Sequence, residues 1–308
     1  MREISLEELL EAGCHFGHQV TRSNPKARDF VFEARDNIQI IDLAKTKEGL
    51  DEAAAFVKTL GQRGGKLLVV ATKKQAKDIV VQEVARVREL LKNSNTANGE
   101  NLFYITQRWI GGILTNFSEV SKNFQKLDDL KSKLVSEEER AKYTKKEIGL
   151  WDKERQRLES FYGGISLMKE KPDAIFIVDS HLEDLAVREA NNTGVETVAI
   201  VDTNADPYAI DYPIPANDDA VGSIKLIVSY ILDAYAEGVK SQKTATTEAQ
   251  KSSETLKKKP ATTETQKKPE AQKSKTSAFQ KSSVKSKVAR KIVDNKKTAK
   301  TKTSKAKK

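Results

Sequence analysis

Four short apolar runs limit the possible folds of this chain more than any other feature. Turn residues bound each run, and stretches with helical periodicity separate the runs. The runs are KLLVVAT from Lys66, LFYIT from Leu102, DAIFIVD from Asp173 and ETVAIVD from Glu196. Apolar runs of this length are typical of strands that are buried on both faces. Strands that alternate with helices predict a parallel sheet covered by helices. We therefore expect an α/β fold with a Rossmann- or flavodoxin-like parallel sheet flanked by helices.

The alternation breaks after the second of these strands. Apolar residues then recur at steps of three and four between charged ones in two successive stretches, from Phe117 and from Ile148. Two helices with such thin apolar seams predict an inserted antiparallel helical hairpin, or short coiled coil, over residues 111–162. An ordinary helical subdomain that lies on the sheet is the alternative. The sheet domain is then discontinuous and comprises residues 1–110 and 163–240.

The first forty residues predict a short helix and a hairpin. Ser5 and Glu8 have the spacing of a capping box. The three leucines that follow Ser5, at Leu6, Leu9 and Leu10, fall on one side of the predicted helix. Further on, the runs FVFEA and NIQIID are joined by the link RDN, which predicts two paired strands.

The C-terminal part of the chain has a different composition. Residues 241–308 hold 21 Lys and Arg but only five Asp and Glu, and Phe279 is their single aromatic residue. Such a segment cannot bury an apolar core, so we expect a disordered basic tail. The other 240 residues carry 33 basic and 39 acidic side chains. Among them, residues 171–240 hold four basic and 13 acidic ones, which makes this end a poor partner for a polyanion.

The cysteine content and the N-terminal sequence indicate the compartment. Cys14 is the only cysteine, so an intramolecular disulfide is excluded and a reducing compartment is expected. The start MREISLEELLEAG is acidic and amphipathic, unlike a signal peptide or an Arg-rich transit sequence. No stretch approaches the roughly 18 apolar residues that a membrane helix needs. We expect a cytoplasmic protein without a membrane partner.

A search for catalytic or cofactor-binding motifs finds little. No G-x-G-x-x-G follows a strand, and GQRGGK from Gly61 lacks the Ser or Thr of a phosphate loop. We therefore expect no nucleotide cofactor and no small-molecule substrate. A zinc or magnesium site can be drawn from His15, His18, Asp202 and Asp206, but structural histidines satisfied by hydrogen bonds are the simpler interpretation.

Three segments carry the residue types that bind RNA. HFGHQVTRSNPKAR places cations around an Asn-Pro turn, and ATKKQAK crowds lysines where a helix begins, a place that favours anions. RWIGGILTNF adds a guanidinium, a stacking face and two glycines that permit close backbone approach. The candidates are Arg22, Asn24, Lys26, Arg28, Lys73, Lys74, Lys77, Arg108, Trp109, Gly111, Gly112 and Asn116. A solvated loop, solvated lysines and a glycine turn with a buried Trp are the respective alternatives.

Eight segments, in order over about 230 residues, match one family pattern. They are GCHFGHQVTRSNPKAR, IQIIDLAKT, VVATKKQA, RWIGGILTNF, FYGGI, PDAIFIVD, AIVDTNADPYAIDYPIPANDDA and SIKLI. The chain resembles the second protein of the small ribosomal subunit in its bacterial form. That family is an α/β sheet domain with an inserted helical hairpin, at the place where the alternation of strands and helices breaks here.

The resemblance implies a structural role without catalysis. The implied partners are small-subunit rRNA and other small-subunit proteins, including the large mRNA-binding protein built from repeated OB domains. The basic tail lies outside the family pattern, and an auxiliary, salt-sensitive RNA contact is our hypothesis for it. Two other hypotheses stay open: a metal- or nucleotide-dependent enzyme on the same sheet, and a free nucleic-acid-binding protein that acts through its tail.

Overall fold

A computed structural model describes residues 2–93 and 101–256 of the 308 residues. The helices are α1 Leu6–Glu11, α2 Leu43–Gln62, α3 Lys74–Asn93, α4 Phe117–Val135, α5 Glu137–Ala141, α6 Lys145–Tyr162, α7 Asp184–Thr193 and α8 Val221–Leu256. The strands are β1 Phe16–Gln19, β2 Val31–Arg35, β3 Ile38–Ile41, β4 Leu67–Val70, β5 Leu102–Ile105, β6 Ala174–Ile177, β7 Glu196–Val201 and β8 Tyr212–Pro215.

Five of the strands form the parallel sheet that the apolar runs predict. Their order is β5-β4-β6-β7-β8, and every neighbouring pair is parallel. Numbered within this sheet the order is 2-1-3-4-5, as in flavodoxin-like folds. The expected α/β class is confirmed. The run YPIPAND adds β8 at one edge, where prolines are tolerated because one side of the strand is unpaired.

Helices cover both faces of this sheet because alternate residues of each strand point to opposite faces. Leu67, Val69 and Phe176 point to the face where α2, α3 and α8 pack. Leu68 and Ile175 point to the other face, whose apolar cluster includes residues of α4, α6 and α7. The sheet therefore separates two apolar layers, and its strand ends lie between them.

The helices α4 and α6 contact each other on the second face. The ring of Tyr162 meets that of Phe124 edge-on at 5.6 Å between centroids, and Asn123 Nδ2 donates to Tyr162 Oη at 3.1 Å. The short helix α5 lies between these two helices in the chain. Buried residues of both long helices, among them Leu127 and Leu158, join the apolar cluster over the sheet. A coiled-coil hairpin and its status as a domain over 111–162 stay predictions.

A second, smaller sheet has the order β1-β3-β2 and is antiparallel. The predicted pairing of β2 with β3 is confirmed, and the link between them holds Asp36 and Asn37 at positive φ values of 50° and 66°. Strand β1 was not predicted from the sequence, because a four-residue strand with Gly17 has little apolar signal. A Cβ at Gly17 would lie 2.7 Å from Thr203 Cγ2, so only glycine lets β1 approach the main sheet this closely.

The first helix differs in part from its prediction. Ser5 Oγ accepts the backbone N–H of Glu8 at 3.2 Å, as expected of an N-cap. The Glu8 carboxylate pairs instead with Arg2 at 2.7 Å, and of the three leucines only Leu9 is buried. The other two are exposed, because a helix of six residues presents just one position to the core.

The last helix, α8, passes the boundary that we predicted at residue 241 and is described as far as Leu256. Ala, Gln, Glu and Lys, which are frequent in this stretch, are good helix formers. The rest of the predicted tail, residues 257–308, lies outside the described part of the chain. Among the described residues, no helix combines the length and apolarity that crossing a bilayer demands.

Candidate nucleic-acid interface

An ion-pair cluster fills the sheet edge where the strands β4, β6 and β8 end. Lys73 Nζ lies 2.8 Å from Asp218 Oδ1, 2.8 Å from Asp219 Oδ1 and 3.1 Å from Asp179 Oδ2. The Lys73 side chain is only 15% exposed. This corrects the expectation that Lys73 points at RNA, because three carboxylates already surround its ammonium. The sequence could not show this, since the aspartates come from segments more than a hundred residues away.

Burial and like charge shift the titration of this cluster. Burial, with the neighbouring carboxylates of Asp179 and Asp202, raises the pKa of Asp218 to about 7. Burial alone would lower the pKa of Lys73, but its hydrogen bonds to Asp218 and Asp219 outweigh burial and raise that pKa. The carboxylates thus outnumber the cation, and Asp218 titrates near neutral pH.

His18 ties the small sheet to the same cluster. Its Nδ1 lies 3.1 Å from Asp202 Oδ1 and its Nε2 lies 3.6 Å from Asp219 Oδ2. The contact with Asp202 is the main reason why the pKa of His18 is raised, although burial opposes the shift. The backbone N–H of His18 donates to Thr203 Oγ1 at 2.9 Å. His18 therefore lies among polar partners from the main sheet.

The four residues considered as metal ligands do not come together as one set. His18 meets Asp202, but Asp206 pairs with Lys26, and the ring of His15 packs on that of Phe16 at 3.9 Å. A different set has its ligand atoms within 4.8 Å of one another among the described residues: His18, Asp218 and Asp219. These residues could hold a cation, but Lys73 Nζ binds both aspartates and supplies the positive charge there.

The loop with the Asn-Pro turn is anchored to the end of β7. Asn24 donates its backbone N–H to Thr203 O at 2.7 Å, and its Oδ1 accepts the N–H of Lys26 at 3.0 Å. Lys26 Nζ pairs with Asp206. Arg22 and Arg28 are exposed, and neither has an ion-pair partner within the described ranges. Two of the three cations in this loop are therefore free to meet phosphates.

The start of α3 lies next to the loop that carries Arg108. Lys77 Nζ donates to Gln107 Oε1 at 3.2 Å, which joins the two segments. Lys74 is exposed and forms no ion pair with any residue that the structure describes. Arg108 is likewise exposed without such a pair in the same part of the chain. Lys74 and Arg108 therefore lie just after the carboxyl ends of the adjacent strands β4 and β5, and the charge of each side chain is available to bind an anion.

Trp109 points away from this surface and into the molecule. It is 5% exposed and belongs to the apolar cluster of the second sheet face. Its indole Nε1–H donates to Glu189 Oε1 at 3.4 Å. The proposed stacking of Trp109 on RNA is therefore wrong, and the alternative of a buried Trp holds. The glycines beside it have a local function instead, since Gly112 adopts a φ of 98° that side chains disfavour.

Glu189 in α7 is the residue that the sequence analysis missed. Its carboxylate accepts the N–H of Gly112 at 2.8 Å and of Leu114 at 3.2 Å, and the hydroxyl of Thr115 at 3.3 Å. A signal existed: Glu189 lies between the buried Ala186 and Ala190 in sequence, on the apolar face of its helix. A glutamate on such a face needs hydrogen-bond donors from elsewhere.

The sequence matches a known protein family over most of its length. Residues 9–238 match the sequence pattern of the family described as Ribosomal protein S2. The chain belongs to the ribosomal protein S2 family. The small ribosomal subunit protein uS2 of Roseiflexus sp. (strain RS-1) is 47% identical over 237 residues, which cover 77% of this chain and 85% of that protein. The resemblance drawn from the eight segments is confirmed, and membership makes the chain a structural protein of the small ribosomal subunit.

Proposed function

We propose that this S2 family member contacts small-subunit rRNA through a loop surface at the carboxyl edge of the parallel sheet. This RNA-facing surface comprises Arg22, Arg28, Lys74, Lys77, Arg108 and Asn116. One observation carries the proposal. The loops that follow β4 and β5, and the loop that is anchored to the end of β7, present exposed cations without ion-pair partners among the described residues. Phosphate binding needs such available Lys and Arg side chains.

An enzymatic role has little support from the same edge of the sheet. In sheets of this order, ligands bind in the crevice where the strand order reverses, here between the ends of β4 and β6. Lys73, after β4, and Asp179, after β6, form an ion pair across that crevice. The place where a nucleotide would bind is thus occupied by the protein's own side chains.

Contacts with neighbouring ribosomal proteins need a different surface. The first helix and the small sheet carry exposed apolar side chains, which on a monomer are typical of protein contacts. They are Leu6, Leu10, Phe16 and Phe32. We propose that this region supports docking of the large mRNA-binding protein on the cytoplasmic small subunit.

Phe32→Ser should lower the amount of that protein on purified subunits while the S2 family member itself remains bound. Equal amounts of the mRNA-binding protein with and without the substitution would contradict this contact.

Co-sedimentation with small subunits tests the proposed RNA contact. Arg22→Ala, Arg28→Ala, Lys74→Ala and Arg108→Ala should each weaken association about threefold to tenfold and flatten its dependence on salt. Lys58→Ala is the control, because Lys58 pairs with Glu237 in α8, away from the loops at the carboxyl ends of the strands. Variants that bind as tightly as the control would contradict the proposed surface.

A further inference from the structure

The carboxylate of Glu189 lies under the loop from Arg108 to Asn116 and is 6% exposed. Both of its oxygens are used: Oε1 faces Trp109 and Gly112, and Oε2 faces Leu114 and Thr115. Within the described residues, no Lys or Arg forms an ion pair with it. Backbone and side-chain donors of a single loop therefore compensate this buried acid, without a counter-ion.

Such an arrangement fixes the shape of the loop more strictly than apolar packing does. Donors that point at two oxygens of one carboxylate must keep their directions, because hydrogen bonds weaken steeply when they bend. If the loop turned away, the buried carboxylate would lose its partners at a high cost in free energy. The positive φ of Gly112 is part of this geometry, since it aims the Gly112 N–H at Oε1.

The two side chains assigned to RNA lie at the two ends of this fixed segment. Arg108 and Asn116 are exposed on either side of the residues that Glu189 holds. Asn116 is also tied back to the loop, because its N–H donates to Gly112 O at 2.7 Å. The spacing of Arg108 and Asn116 in space is therefore set by Glu189, which itself stays buried.

We propose that Glu189 is a positioning residue for RNA binding: it holds the loop in the shape in which Arg108 and Asn116 reach rRNA together. The proposal rests on the RNA-facing surface proposed above. Glu189→Gln keeps the size of the side chain but replaces one acceptor oxygen by an NH2 group, which then meets donors of the loop. The loop loses its fixed geometry while the apolar core around it is retained.

The test uses the full chain and small subunits depleted of this protein. Glu189→Gln should weaken rebinding about tenfold, and the effects of Glu189→Gln and Arg108→Ala should add only in part in the double variant, since the Arg108 contact is lost in both single variants. Val187→Ala is the matched control: it removes buried methyl groups from the same helix and should lower thermal stability, while the Glu189 carboxylate keeps its hydrogen bonds to the loop. Its rebinding, measured well below its melting temperature, should equal that of the unchanged protein.

Three outcomes would overturn the positioning role. The first is that Glu189→Gln rebinds as Val187→Ala does, and the second is that its effect adds fully to that of Arg108→Ala. In both cases the RNA-facing surface itself survives, provided that Arg108→Ala alone weakens rebinding. The third is that neither Arg108→Ala nor Asn116→Ala changes rebinding, which contradicts the proposed surface together with the positioning role.

Discussion

Trp109 follows an exposed arginine and precedes two glycines. This local sequence fits both a tryptophan that stacks on a base and a tryptophan that is buried in the core. The structure places it in the core because α7 offers an apolar face and the Glu189 carboxylate for its indole N–H. Neither partner is near in sequence. The local sequence therefore identified this segment as a candidate for RNA binding, but it could not show which of its side chains point outward.

Truncation of Trp109 should destabilise the fold far more than truncation of its neighbour. We expect Trp109→Ala to lower the free energy of unfolding by about 3–5 kcal/mol, because it leaves a large cavity in the second apolar layer. Arg108→Ala should change it by less than about 0.5 kcal/mol. Urea unfolding measures both, and equal losses would show that Trp109 is not a core residue.

Asp218 makes a prediction about pH. Its pKa is raised to about 7, so the folded protein keeps a proton that the unfolded chain loses near pH 4. The contribution of Asp218 to the free energy of unfolding should therefore fall as the pH rises from about 4 to about 7. Asp218→Asn lacks this titration, and it also removes one of the carboxylates that raise the pKa of His18, so both effects make the variant lose less stability as the pH rises.

The stability of Asp218→Asn relative to the unchanged protein should thus improve by about 1 kcal/mol between pH 6 and pH 8. Thermal unfolding at the two pH values measures this difference. A difference that is constant, or that moves in the opposite direction, would contradict a proton on Asp218 in the folded state.

At the scale of elements, periodicity predicted most helices and all strands with strong apolar runs. It failed where the signal was not apolar. Strand β1 has a glycine and two polar residues, and it exists because it pairs with β3 and packs on the end of β7. Lys73 was misplaced for a similar reason: its partners Asp179, Asp218 and Asp219 follow strands that only the folded sheet brings to one edge.

Two glycines of the helical region allow a matched test of how α6 is joined to the sheet. Gly164 follows α6 and lies against the edge strand β5, where an added Cβ would be 2.1 Å from Tyr104 O. Gly149 lies within α6 and has no atom within 4 Å of an added Cβ. We expect Gly164→Ala to destabilise the protein by more than about 2 kcal/mol, and Gly149→Ala to stabilise it by up to about 1 kcal/mol.

Thermal unfolding of both variants measures the contrast. If Gly164→Ala is tolerated as well as Gly149→Ala, the chain after α6 does not approach β5 as the structure has it.

For the whole molecule, charge is divided unevenly along the chain. Residues 257–308 carry 19 Lys and Arg against three acidic residues, whereas residues 171–240 carry four against 13. We infer that the folded part provides the specific contact with the subunit and that the basic segment adds a salt-sensitive one. Deletion of residues 257–308 should leave co-sedimentation intact at low salt and flatten its decline as salt rises.

A control deletion is not required, because the two hypotheses predict opposite results. Association at low salt is retained if the folded part binds the subunit, and it is lost if the basic segment does. If removal of residues 257–308 abolishes all association at low salt, the chain binds RNA through that segment and not through the loop surface.

Mapping of protein–RNA crosslinks on intact small subunits tests whether the carboxyl-edge loops of the sheet contact rRNA. We expect crosslinks to concentrate at residues 22–28, 74–77 and 108–116, where cations are exposed. Crosslinks concentrated instead within the acidic residues 173–237 would contradict it.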